Sequence, residues 1–268
     1  MRLPGDRLAH LASSNTTSRK PHHAHQRCSG ASLVTVFTSA GVSAESGIPT
    51  FHDALTGLWE RFNPAQLATA DAYRADPGLC WGWYEWRRSK VLQATPNAAH
   101  QAIVQFASLV PKLTVVTQNV DDLHERAGSK GVIHLHGSLH SPRCIDYGAA
   151  YLSPLAILDL PQGDQRIEPP QCGACNGLIR PGVVWFGEML PEIAWNAGLA
   201  AAENCDVFLS IGTSSMVYPA AELPLRALGR GSTVVHINPV PFEVGEDEHF
   251  LQGPATHVIE ELIAAAFS

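Results

Sequence analysis

The chain has 268 residues, 45% of them apolar and 16% charged, which suits one soluble α/β domain with a smaller appendage. A net charge of -7 argues against nucleic acid as a direct partner, because nothing basic is concentrated enough to neutralise phosphates. No apolar run approaches the ~20 residues that span a bilayer, and six cysteines in a chain of this length are not a disulfide framework.

Residues 1–30 carry Arg2, Arg7, Arg19, Lys20 and Arg27 against the single acid Asp6. That composition reads as a disordered tail or a misplaced start codon, with a transit peptide as the alternative. The cysteine usage points to a reducing compartment, so a cytoplasmic location is expected and a mitochondrial one is the alternative. The texture changes at Leu33. Leu33 to Thr38 is a β-branched run ending at Ser39-Ala40-Gly41, as expected of a buried parallel strand feeding a tight turn. Residues 53–93 follow, rich in Trp, Tyr and Ala, with Trp81, Tyr84 and Arg88 at helical spacing; they are expected to form a helical insertion over the site. Further strands are expected over Leu113 to Thr117, Val207 to Ile211 and Val234 to Ile237. Each ends at small or polar residues: Gln118-Asn119, Gly212-Thr213-Ser214 and Asn238-Pro239. Between them, residues 141–177 hold Cys144, Cys172 and Cys175 in a small excursion too short for a core of its own. The sum is a Rossmann-like, doubly wound parallel sheet over residues 31–268, with a helical insertion and a small zinc-ribbon-like inserted domain. Ligands of such sheets bind beyond the carboxyl ends of the strands, where the polar clusters lie.

The chemistry of those clusters is suggestive in itself. Asn119 and Asp121, two apart, face the same way on an extended segment, and an amide with a carboxylate suits the carboxamide and ribose of a nicotinamide nucleotide. Ser43 and the loop from Gly41 to Phe51 offer backbone N–H groups to phosphates. His134 and His136 are equal candidates for a base by composition. The turn after the first strand is not the GxGxxG fingerprint, which disfavours a plain dehydrogenase.

Four segments occur in order: Ser43-Ala44-Glu45-Ser46-Gly47-Ile48-Pro49-Thr50-Phe51, Thr117-Gln118-Asn119-Val120-Asp121, His134-Leu135-His136-Gly137-Ser138-Leu139, and Gly212-Thr213-Ser214-Ser215. Together they resemble the signature set of the sirtuins, over about residues 33–255. The resemblance implies an NAD-consuming protein-lysine deacylase in which His136 is the general base. The acyl-lysine carbonyl oxygen attacks C1′ of the nicotinamide ribose, nicotinamide leaves, and His136 then takes a proton from a ribose hydroxyl. The products are deacylated lysine, nicotinamide and O-acyl-ADP-ribose. It further implies that Ser39, Ala40, Gly41, Ser43, Gln118, Asn119, Asp121, Gly212, Thr213, Ser214, Asn238 and Ala255 bind NAD. Val184, Trp185 and Phe186 would receive acylated-lysine peptide as an added strand. Tyr84 and Arg87, three apart on one helix face, match the pair with which one branch binds succinyl, malonyl or glutaryl groups, with Ala68 as the accompanying small residue. The protein is expected to be monomeric.

Three positions depart from the family pattern. Ser39 stands for a glycine, which requires either a negative φ or accepted strain. His52 stands for an arginine that holds phosphates, with less charge and no fork of donors. Tyr147 stands for the second cysteine of a zinc set completed by Cys144, Cys172 and Cys175, so zinc binding is expected to be weakened unless His140 substitutes. These departures keep open an alternative, an impaired sirtuin-like protein that binds NAD or acyl-peptide. A mono-ADP-ribosyltransferase would share the NAD residues but has no evident purpose for Tyr84 and Arg87.

Overall fold

A computed structural model describes residues 21–48, 67–155 and 166–268. Six of its strands form one parallel sheet. β1 (Leu33–Thr38) lies beside β2 (Lys112–Thr117) on one side and β6 (Val207–Ile211) on the other. β3 (Ile133–His134) extends the sheet beyond β2; β7 (Thr233–Asn238) and β8 (Glu248–Gln252) extend it beyond β6. The order is therefore β3-β2-β1-β6-β7-β8. The chain winds outward from β1 in one direction, then returns to wind outward in the other. The point of reversal, beyond the carboxyl ends of β1, β2 and β6, is where a doubly wound sheet leaves a crevice.

Alternation along the strands divides the packing between two faces. Val34 and Val36 of β1, with Leu209 and Ile211 of β6, pack with α1 (Pro21–Ser29), α4 (Ala98–Leu109) and α8 (Ala255–Phe267). Phe37, Val116, Phe208 and Val234 face the other way, against α6 (Glu192–Glu203) and α7 (Leu223–Gly229). All five residues of β6 are buried, as a central parallel strand covered on both faces requires.

The tail expected over residues 1–30 is corrected at its end. Residues 21–29 are helical because Ala24 and Cys28, one turn apart, are fully buried in the core. Residues 1–20 lie outside the described residues.

The two insertions share a single second core. α2 (Ala70–Ala75) and α3 (Pro77–Gln93) contribute Tyr73, Leu79, Trp83 and Trp86, and the cysteine-bearing segment contributes Cys144, Cys172 and Ile179. Asp76 caps α3 by accepting from Leu79 N at 3.0 Å, with Pro77 in the first turn. β4 (Arg143–Cys144) pairs antiparallel with β5 (Ile179–Arg180), and the Tyr73 hydroxyl donates to Ile179 O at 2.6 Å, tying α2 to this small sheet. Residues 53–66 of the expected helical insertion and 156–165 of the cysteine-bearing segment lie outside the described residues. Among those described, no helix is long and apolar enough to cross a membrane.

Candidate active site

The crevice begins where β1 ends. Ser39 is extended, with φ -136° and ψ -169°, so the serine stands there without strain. Its N–H donates to Ile211 O at 3.2 Å, and Gly41 N donates to Gly212 O at 3.0 Å, which draws the turns after β1 and β6 together. A Cβ on Gly41 would lie 2.7 Å from Gly212 Cα, so this approach requires glycine.

Ser43, from the turn after β1, and Gln118, Asn119 and Asp121, after β2, are all buried. Asn119 Nδ2 donates to Ser43 Oγ at 3.2 Å, and Ser43 Oγ donates to Asp121 Oδ2 at 3.1 Å. The expected convergence of Asn119 and Asp121 is thus present, with Ser43 between them. Burial raises the Asp121 pKa, opposed by hydrogen bonds from Leu123 N and Ser43. Gln118 Nε2 reaches Thr213 Oγ1 at 3.3 Å, and Asn238 Nδ2 donates to Thr213 O at 2.9 Å, joining the ends of β2, β6 and β7. Ser214 is exposed beside them, Ala40 half-buried, and Ala255 buried at the start of α8. Ser46 Oγ and Ser215 Oγ are buried without a hydrogen-bond partner among the described residues. Unspent hydroxyls and a buried amide–carboxylate pair fit a nucleotide's ribose and carboxamide. His52 lies outside the described residues.

The two histidines are distinguished by their partners. His134 has both nitrogens engaged, Nδ1 with Asn119 O at 3.0 Å and Nε2 with Glu125 Oε1 at 2.7 Å. His136 Nδ1 donates to Gln118 O at 3.0 Å, which leaves Nε2 as the lone-pair nitrogen of the neutral ring. Burial lowers the His136 pKa, with the Gln118 carbonyl opposing. The arrangement suits His136 as a base and His134 as a support. Gly137 follows at φ 73°, and a Cβ there would collide with Gly182 O at 2.1 Å.

On α3, Tyr84 is buried and Arg87 half-buried, with the guanidinium 5.1 Å from the Trp83 ring centre. Burial lowers the Arg87 pKa, while Tyr84 and Asp121 oppose it, so this cation lies within electrostatic reach of the crevice carboxylate. Trp185 Nε1 donates to Tyr84 Oη at 3.0 Å, which joins α3 to the segment expected to receive peptide. Within that segment Val184 N donates to His136 O, Trp185 N to Glu188 Oε2 and Phe186 N to Ala68 O. These three N–H groups are spent inside the chain, so a strand added there would pair through carbonyl oxygens instead.

Sequence reasoning missed a polar layer beneath the crevice. Thr38 Oγ1 bonds Thr117 Oγ1 at 2.8 Å and reaches Nε2 of His124, on α5 (Leu123–Ala127), at 2.9 Å. The signal was weak, since threonines inside β-branched runs read as strand formers.

The Cys144, Cys172 and Cys175 sulfurs lie within 4.8 Å of one another, with Cys144 and Cys175 at 3.5 Å. Zn–S bonds of about 2.3 Å in a tetrahedron put sulfurs just under ~4 Å apart, so three corners of a zinc site fit. Tyr147 Oη is 3.8 Å from Cys172 Sγ, at the edge of the thiol cluster. His140 is turned to another partner, its Nε2 facing Asp122 Oδ1 at 3.6 Å.

A parallel sheet that reverses its winding over buried polar strand ends, with a thiol cluster inserted, defines an α/β nucleotide-binding protein. Residues 39–219 match the Sir2 family model, and the chain belongs to that family. It is 57% identical over 239 residues to NAD-dependent protein deacylase 1 of Pseudomonas aeruginosa, covering 89% of this chain and 96% of that one. It is 54% identical over 233 residues to the NAD-dependent protein deacylase of Methylococcus capsulatus, covering 87% and 91%. Among solved structures, a Sir2 homologue–NAD complex matches with TM-score 0.79 and 41% identity, covering 91% of this chain and 93% of that one.

Proposed function

We propose that this chain is an NAD-dependent protein-lysine deacylase that selects acyl groups ending in a carboxylate. NAD, when bound, supplies the ribose carbon to which the acyl oxygen is transferred. Asn119, Ser43 and Asp121 form a fixed polar wall for its nicotinamide ribose, and the close packing of Gly41 on Gly212 holds the two strand-end turns together beside it. His136 Nε2 holds the lone pair that accepts a proton, because Gln118 O fixes the proton on Nδ1.

The observation that carries the acyl preference is the placement of Arg87 and Tyr84 three residues apart on α3, with the guanidinium 5.1 Å from the Trp83 ring centre and the phenol bonded to Trp185. A guanidinium drawn partly out of water favours an anionic partner. The names of the relatives and the NAD complex support the deacylase reading. Incubation with NAD and acetyl-, succinyl- and malonyl-lysine peptides tests it. Nicotinamide release with faster turnover of the acidic acyl groups is expected; equal rates on all three would defeat the preference.

A further inference from the structure

Trp185 is held from several sides at once. Arg180 Cζ lies 3.4 Å from the indole ring centre, and the Tyr73 ring lies 5.3 Å away. Glu188 holds both ends of this clamp: it accepts from Arg180 Nη1 and Nη2 at 2.5 and 2.9 Å and from Trp185 N at 2.8 Å. Arg180 Nη2 also donates to Val183 O at 3.0 Å. The side chain is buried, and its indole N–H points to Tyr84 Oη.

That bond has a chemical consequence for the phenol. An indole nitrogen can only donate, so Tyr84 Oη is the acceptor and must direct its own hydrogen elsewhere. Trp185 is the one hydrogen-bond partner of the Tyr84 hydroxyl among the described residues. A buried hydroxyl hydrogen left without an acceptor is costly, and an incoming carboxylate oxygen satisfies it.

We propose that Trp185 is a specificity-determining positioning residue: by donating to Tyr84 Oη it commits the phenol O–H to donate to the acyl carboxylate. Arg180 and Glu188 hold the indole in that orientation. The inference rests on the acidic-acyl reading above. An acetyl group ends in a methyl and makes no use of the oriented hydrogen, so the ratio of the two activities reports the effect.

The test is a double-mutant cycle on the full chain, reading the succinyl-to-acetyl ratio of kcat/KM. Trp185→Phe keeps an aromatic ring and deletes the N–H; it is expected to lower the ratio about tenfold, chiefly through KM for the succinyl peptide. In a Tyr84→Phe background the same change should leave the ratio where Tyr84→Phe put it, because the phenol to be oriented is gone. The Trp185 indole resonance in a ¹H–¹⁵N spectrum should shift in Tyr84→Phe. An unchanged ratio in Trp185→Phe, or an equal further drop in the Tyr84→Phe background, overturns the proposal. Unmodified protein without succinyl preference would instead defeat the reading beneath it. A ratio that falls in Arg87→Met but not in Trp185→Phe overturns the role of Trp185 and leaves that reading standing.

Discussion

Gly41 and Gly212 meet backbone to backbone, with Gly41 N donating to Gly212 O at 3.0 Å and no room for a methyl between them. Two strand ends are thereby held as one floor. Gly41→Ala would force them apart at a cost of about 1–3 kcal/mol. KM for NAD should rise about tenfold, measured by nicotinamide release at saturating peptide; an unchanged KM would show that the approach is dispensable.

His136→Ala should reduce turnover by at least about a hundredfold, since general-base catalysis contributes about 10²–10⁴, while NAD affinity by calorimetry stays within a few-fold. Turnover near that of the unmodified protein would remove His136 from the mechanism.

The pH profile carries a sign. The base must be unprotonated, and burial holds His136 below the usual histidine value. Activity should therefore persist as pH falls to about 6.5 and be lost below it. An acid limb of kcat/KM centred above that value would contradict the burial effect.

Arg87→Met should depress desuccinylation far more than deacetylation, by tens- to a hundredfold in the ratio, because charge-assisted hydrogen bonds contribute about 1.5–3 kcal/mol. Competition between the two peptides in one reaction measures it directly.

Zinc content by elemental analysis should fall below one per chain, because a neutral phenol is a poor fourth donor beside three thiolates. Tyr147→Cys should raise both the zinc content and Tm, since metal bound only by the folded state stabilises it. Full occupancy without the substitution would defeat this expectation and point to a fourth ligand other than Tyr147.

Much of the architecture is legible in the chain. β1, β2, β6 and β7 announce themselves because buried parallel strands are continuous apolar runs. β3 and β8 do not: the first is two residues long, and the second, Glu-His-Phe-Leu-Gln, is a half-buried strand with polar ends at the sheet edge. The Asn119–Asp121 spacing foretells a shared direction, yet Ser43 as their bridge lies 76 residues from Asn119 and is visible only in the fold. The choice between His134 and His136 likewise depends on Gln118 O, Asn119 O and Glu125, which composition does not place. Composition also misreads residues 21–29 as tail, because a short helix carrying Ala24 and Cys28 becomes stable only against its tertiary partner.

The common core of the two insertions sets how the molecule comes apart. Trp83, Trp185, Cys144 and Cys172 belong to one buried cluster, so the cysteine-bearing segment and α3 are expected to open together. Amide hydrogens of α3 and of residues 170–180 should exchange on one timescale, and stripping thiol-bound metal should quicken both. A disturbance of the thiol cluster would then be felt first along α3, before the six-stranded sheet loosens at all.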